Sequence, residues 1–212
     1  MKQTLQNLKV VPVVQIEDPA SAAPLGAALR RGGLPVVEVT FRTDAAAAAI
    51  DELRTHCPDV LVGAGTVLTA ATVDAAVSAG AAFVVTPGFN QAVVDRCLEH
   101  GIAVIPGVNS PTGVEQGLAS GLTLLKFFPA VASGGLPMLT ALGGPYREVS
   151  FMPTGGITAA TAPDWLAQPN VAAVGGTWIA PAADIAAGRF DTIAERAARA
   201  TALGAPTSAT TS

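Results

Sequence analysis

The sequence predicts a single-domain α/β protein, a (β/α)8 barrel of the TIM type with a short N-terminal helix in front. Three observations carry that expectation. Eight short β-branched runs recur at intervals of 20 to 27 residues, the intervals carry helix punctuation, and the runs are apolar enough to be covered on both faces. With 212 residues, half of them hydrophobic and 13% charged, the chain has the material for one sizeable core.

The runs are VVPVVQI from Val10, VVEVTFR from Val36, LVGAGTV from Leu61, FVVTPGF from Phe83, AVIPGV from Ala103, LLKFFPA from Leu124, FMPTGGI from Phe151 and VAAVGGTW from Val171. One strand, one helix of about three turns and two short loops fill such an interval. Thr43, Thr69, Asn90 and Ser110, the last followed by Pro111, are placed to cap helix starts, because their side-chain oxygens accept from free N–H groups of a first turn. Gly80, Gly101 and Gly121 stand where three helices end. Between these signals, Val73, Ala76 and Val77, and then Val93, Val94, Cys97 and Leu98, recur at helical spacing. Eight such units favour a closed barrel over residues 1–204 rather than an open sheet, at the small end of the size range of that fold. The small polar residues 205–212 are expected to form a disordered tail.

Composition excludes several functions. Twelve Lys+Arg against sixteen Asp+Glu, with no basic cluster, do not follow a phosphate backbone, so no nucleic-acid partner is expected. The mean hydropathy of +0.47 reflects core, because Gly, Pro, Asp or Asn breaks each apolar stretch well short of a membrane span. The opening MKQTLQNLKV lacks the apolar centre of a secretory signal, and a cytoplasmic protein is expected. Cys57 and Cys97 read as buried thiols. His56 and His100 fall late in helical stretches, away from strand ends, so no metal site built on imidazole is expected, while spacing alone leaves a carboxylate-and-water Mg²⁺ site open.

Polar residues inside the runs are the functional candidates. Strand alternation puts Val37, Val39 and Phe41 on one face and Glu38, Thr40 and Arg42 on the other, which in a closed barrel is the interior. Glu38 and Arg42 either tie the barrel together as paired charges or belong to a site at the C-terminal strand ends. Lys126 is one of only three lysines; Lys2 and Lys9 both precede the first run, whereas Lys126 stands amid hydrocarbon in LLKFFP. Desolvation favours a neutral amine, which attacks carbonyl carbon and forms a Schiff base. The alternative is a lysine that reaches water or holds a phosphate. Phe128 shares its face. Gly155-Gly156 and Gly175-Gly176 follow the last two runs, either as tight turns or as backbone N–H cradles for a substrate phosphate. Thr66 and Pro87 lie at the ends of the third and fourth runs and complete the rim.

VEVTFRT, GAGTVL, TPGF, LLKFFPA, PTGGI and GGTW, in that order, resemble the 2-keto-3-deoxy-6-phosphogluconate (KDPG) aldolase family, which also acts on 4-hydroxy-2-oxoglutarate, and the likeness covers nearly the whole chain. It implies a class I aldolase, usually a homotrimer, that cleaves KDPG reversibly to pyruvate and glyceraldehyde 3-phosphate through a covalent Schiff base, with no cofactor and no metal. On that likeness Lys126 is the Schiff-base lysine and Glu38 the general acid/base. Arg42 and Thr66 hold the pyruvyl carboxylate, Pro87 and Phe128 wall the pocket, and Thr154 with Gly155, Gly156, Gly175, Gly176 and Thr177 meets the rest of the substrate. Two positions depart from the family pattern: Val131 stands where many relatives have Glu, and Thr177 where they have Ser, which keeps a hydroxyl. The same motifs occur in the aldolase for the galactonate epimer, and a catalytically silent, self-assembling barrel is the reading from another class.

Overall fold

The computed structural model describes residues 1–203; Gly204 and the 205–212 tail lie outside the described residues. The chain opens with helix α1 (Lys2–Leu8) and strand β1 (Val10–Val14), followed by α2 (Ala22–Arg31), β2 (Val36–Thr40), α3 (Ala46–His56), β3 (Leu61–Gly65), α4 (Ala70–Ser78), β4 (Phe83–Val85) and α5 (Gln91–Glu99). Then come β5 (Ala103–Ile105), β6 (Gly107–Val108), α6 (Pro111–Ala119), β7 (Leu124–Phe127), α7 (Gly135–Gly143), β8 (Ser150–Pro153), α8 (Ala162–Leu166), β9 (Val174–Gly176), α9 (Ala182–Ala186) and α10 (Phe190–Ala202).

The strands form a six-stranded sheet in the order β5-β4-β3-β2-β1-β9 and a three-stranded sheet in the order β6-β7-β8, with every ladder parallel. Only Pro106 separates β5 from β6, and two isolated parallel bridges, Phe151 to Val171 and Thr154 to Gly175, join the β8 side to the β9 side. The parallel α/β architecture and the short N-terminal helix are as expected.

Three local expectations are corrected. The fifth run is one strand in the sequence reading and two in the structure, because Pro106 has no N–H to donate; its carbonyl still accepts from Lys126 N at 2.9 Å. The last strand starts at Val174 rather than Val171, which makes only an isolated bridge. Thr43 does not cap α3: its hydroxyl donates to the Ile16 carbonyl at 2.6 Å, and α3 begins behind Ala45 with no side-chain cap. A tertiary partner has displaced the local one. The other caps form, with Thr69, Asn90 and Ser110 accepting from Thr72, Ala92 and Gly113.

Helix faces such as Leu25, Ala28 and Leu29 of α2 and Val93, Val94 and Cys97 of α5 pack against the outward strand residues in one continuous core. Cys57 and Cys97 are free and buried, and desolvation pushes the Cys97 thiol up to about 11. His56 pairs with Glu52 at 3.2 Å and His100 with Asp74 at 2.7 Å. Among the described residues no group of three or more His, Cys, Asp or Glu side chains is placed to hold a metal, and no helix is long and apolar enough to cross a membrane.

Candidate active site

The two charged residues that interrupt apolar strands meet inside the molecule. Parallel pairing aligns Val13, Glu38, Gly63 and Phe83 across β1 to β4, so Glu38 projects to the same side as its neighbours in that row. Lys126 comes from β7, paired with Gly107 on one side and Met152 on the other. Its Nζ lies 3.4 Å from Glu38 Oε1, at the outer edge of hydrogen-bond distance, with Lys126 4% exposed and Glu38 fully buried.

Glycines make room for that carboxylate. A Cβ at Gly65 would strike the Glu38 carboxyl group, and one at Gly63 would strike the Phe83 ring. The alternating glycines of LVGAG therefore keep one face of β3 clear: the first admits an aromatic side chain, the second a carboxylate. Glu38 Oε2 is buried with no hydrogen-bond partner among the described residues, which is costly for a carboxylate oxygen. A group left this way in a native interior is available to a molecule that enters.

The Lys126 ammonium or amine stands 4.9 Å from the centre of the Phe128 ring, a neighbour in the loop that β7 runs into. That loop is stitched to the one after β8: Ala130 N donates to Thr154 O at 2.8 Å and Val131 N to Gly155 O at 3.1 Å. Gly155 and Gly156 both have positive φ, 102° and 80°, where a side chain would be strained, and a Cβ on Gly155 would sit 3.3 Å from the Phe128 ring. A Cβ on Gly156 would sit 2.8 Å from Val131 Cβ. Thr154 is buried beside Gly175, whose missing Cβ leaves space for the Thr154 hydroxyl. Gly176 similarly makes way for the Trp178 ring.

Thr66 follows β3 with φ 57°, in the left-handed region. For a β-branched residue that conformation costs on the order of 1–3 kcal/mol, a strain found where a backbone is held for function. Pro87 follows β4, its carbonyl packed against Gly107 so closely that no Cβ fits there. Arg42 is exposed beyond β2 and makes no ion pair or side-chain hydrogen bond among the described residues. It lines a cavity of about 280 Å³ together with Gln15, Thr40, Thr177, Trp178 and the residues that open α9. No hydrogen bond joins Arg42, Thr66, Pro87 or Thr177 to Lys126 or Glu38 among the described residues, and the cavity lined by Arg42 and Thr177 is lined by neither member of the buried pair.

Sequence reasoning missed Gly65 and Gln15 here, and it put Thr40 on the inner face without giving it a task. Gly65 clears the space for Glu38, and the G-x-G alternation was its visible sign. Thr40 shares Glu38's face, but its hydroxyl is occupied by the Val14 carbonyl at 2.8 Å, tying β2 to β1. Gln15 lines the mouth and is a polar residue at the end of VVPVV, in phase with Val13.

A buried amine beside a carboxylate, under a rim of glycine loops and one free guanidinium, suits covalent chemistry on an anionic carbonyl compound. Residues 1–196 match the protein family described as "Aldolase: KDPG and KHG aldolase". A 2-dehydro-3-deoxy-phosphogluconate aldolase of Treponema pallidum (strain Nichols) is 49% identical over 191 residues, 90% of this chain and 91% of the relative. The crystal structure of a KDPG aldolase from Legionella pneumophila, with pyruvate captured at low pH as a covalent carbinolamine intermediate, has a TM-score of 0.90 at 40% identity, covering 93% of this chain and 97% of that one. The 2-keto-3-deoxy-6-phosphogluconate aldolase of Zymomonas mobilis ZM4, solved with 3-phosphoglycerate, has a TM-score of 0.88 at 41% identity and covers 95% of each chain. With likeness of this extent in sequence and in fold, the chain belongs to the KDPG and KHG aldolase family.

Proposed function

We propose that this chain is a class I aldolase that cleaves KDPG reversibly to pyruvate and glyceraldehyde 3-phosphate, and 4-hydroxy-2-oxoglutarate to pyruvate and glyoxylate, with Lys126 as nucleophile and Glu38 as proton carrier. The observation that carries the reading is the buried Lys126 amine 3.4 Å from Glu38, in a chain 40% identical to an aldolase caught with pyruvate as a carbinolamine.

The neutral Lys126 amine adds to the C2 ketone and forms a carbinolamine, and loss of water leaves an iminium. As Glu38 takes the proton of the C4 hydroxyl, the C3–C4 electron pair moves toward the positive nitrogen; the aldehyde leaves and an enamine of pyruvate remains. Glu38 returns its proton to the enamine carbon, and water hydrolyses the iminium to pyruvate and free lysine. The electron sink is the covalent iminium, so the scheme draws on no cofactor and no metal.

Arg42, free of other partners, is suited to the pyruvyl carboxylate, and the strained Thr66 stands with it in that role. Pro87 and Phe128 wall the pocket. Thr154, Gly155, Gly156, Gly175, Gly176 and Thr177 form the rim on the β8 and β9 side, where backbone N–H groups and a hydroxyl suit a phosphate. Thr177 in place of serine retains that hydroxyl. Val131 in place of glutamate packs against Gly156 and removes a negative charge beside the same loop.

The two sheets are read as one closed (β/α)8 barrel over residues 1–204, supported by the single-residue join at Pro106 and the bridges between the β8 and β9 sides. The unpaired thiols of Cys57 and Cys97 fit a reducing, cytoplasmic setting, and the family resemblance supports a homotrimer. Pyruvate and borohydride should add the mass of a reduced pyruvyl adduct to the wild type and nothing to Lys126→Ala, as read by intact-mass spectrometry. Labelling of both proteins alike would remove Lys126 from the chemistry, and an unlabelled wild type would return the chain to a non-catalytic barrel.

A further inference from the structure

We infer that Gln15 is a substrate-contacting specificity residue, whose carboxamide hydrogen-bonds the C5 hydroxyl of the phosphorylated keto acid. The inference rests on the aldolase reading above. The order of strands across the mouth is β2-β1-β9, so the residue leaving β1 stands between Arg42, which follows β2, and Thr177, which follows β9. These are the two groups assigned to opposite ends of the substrate, carboxylate and phosphate. All three side chains line the same cavity.

Depth selects the atom. Val13 pairs with Glu38, and Gln15, two residues on, points to the same side about 7 Å nearer the mouth. Glu38 serves the C4 hydroxyl; the next polar group outward on the carbon chain is the C5 hydroxyl, and the phosphate lies beyond it. Thr40, the other neutral polar side chain of this cavity on the β1–β2 side, has its hydroxyl committed to Val14. Gln15 is half-buried; its Nε2 donates at 2.7 Å to Glu17, an exposed carboxylate, while its carbonyl oxygen has no partner among the described residues. A carboxamide offers a donor and an acceptor, which matches a hydroxyl that is both.

The test is the aldol condensation of pyruvate with D-glyceraldehyde 3-phosphate against 3-oxopropyl phosphate, the same aldehyde without the hydroxyl that becomes the C5 hydroxyl. Gln15→Ala should lower the kcat/KM ratio between the two aldehydes about tenfold, the effect of losing one hydrogen bond to a bound hydroxyl. Glu17→Ala should leave that ratio within about twofold of wild type, because the anchoring bond is not the reading bond. An unchanged ratio in Gln15→Ala overturns the proposal. So does a Glu17→Ala ratio as low as that of Gln15→Ala, since Gln15 would then act only by holding Glu17. If wild type is not trapped by borohydride with pyruvate, the aldolase reading fails and this inference with it; trapping with an unchanged ratio overturns Gln15 alone.

Discussion

Glu38 and Asp184 are both carboxylates withdrawn from solvent, the first fully buried and the second 7% exposed, and their surroundings could hardly differ more. Asp184 on α9 is clamped by two guanidiniums: Arg189 Nε donates to Oδ1 at 2.6 Å, and Arg196 reaches Oδ2 from α10. Both of its oxygens are engaged. Glu38 has one long contact to an amine and one oxygen with no hydrogen-bond partner among the described residues. A carboxylate satisfied on both oxygens by bidentate-capable arginines has little left to offer a ligand and serves to tie α9 to α10. One kept half-satisfied in a buried position leaves an oxygen free to accept a hydrogen bond from a ligand.

Glu38→Gln puts the most strain on this contrast. The amide fills the same space beside Gly65 and accepts from Lys126, but it does not carry a proton to and from carbon. Cleavage should fall by about 10²–10⁴-fold, the usual worth of a positioned acid/base. Proton exchange at the methyl group of pyruvate should slow with it, while pyruvate is still trapped by borohydride. Exchange and cleavage near wild-type rates would strip Glu38 of its role and leave it a buried structural acid like Asp184.

Asp184→Asn probes the other arm. Arg196 and then Arg189 hold the Asp184 carboxyl below the usual carboxylate range. A carboxyl depressed in the folded state adds stability above its unfolded pKa of about 4, and that stability is lost as pH falls through the folded value. The variant should therefore melt below wild type at neutral pH, with the gap in Tm closing as pH drops below about 4, and its kcat/KM should match wild type. A constant gap across that range, or a catalytic defect, would show that the clamp is not what separates the two acids.

The contrast was half legible in the sequence. Lys126 and Glu38 stood out because a charge inside a β-branched run has few reasons to be there, and strand parity alone put Glu38 on the inner face. Their meeting came only from the family resemblance and not from local pattern, since it joins residues 88 apart through a register that local pattern does not encode. The Asp184 clamp left no such mark, because Asp184 on α9, Arg189 just ahead of α10 and Arg196 on α10 stand in a helical segment where charges are ordinary. Periodicity located the starts of seven of the eight runs to within a residue; it erred at Val171, because the ladder with β1 begins three residues further on, at Val174. The left-handed Thr66 was also hidden, because a threonine after a strand reads as an ordinary loop residue.

Ser110 supplies the smallest effect and the control for nearness. It follows β6, which pairs directly with the lysine-bearing strand through Gly107 to Lys126 and Val108 to Phe127, so it lies at the same end of the molecule as the candidate site. Yet its hydroxyl does one local thing, accepting from Gly113 N at 3.3 Å to start α6, with Pro111 behind it. Replacing a capping serine by alanine costs about 1 kcal/mol, which for a chain of this length lowers Tm by about 2–4 °C. Ser110→Ala should show that shift in calorimetry with kcat and KM unchanged. Loss of activity out of proportion to the shift would mean that position at the mouth, rather than an unsatisfied polar atom, is what marks a functional residue in this fold, and the distinction between Glu38 and Asp184 would then need another basis.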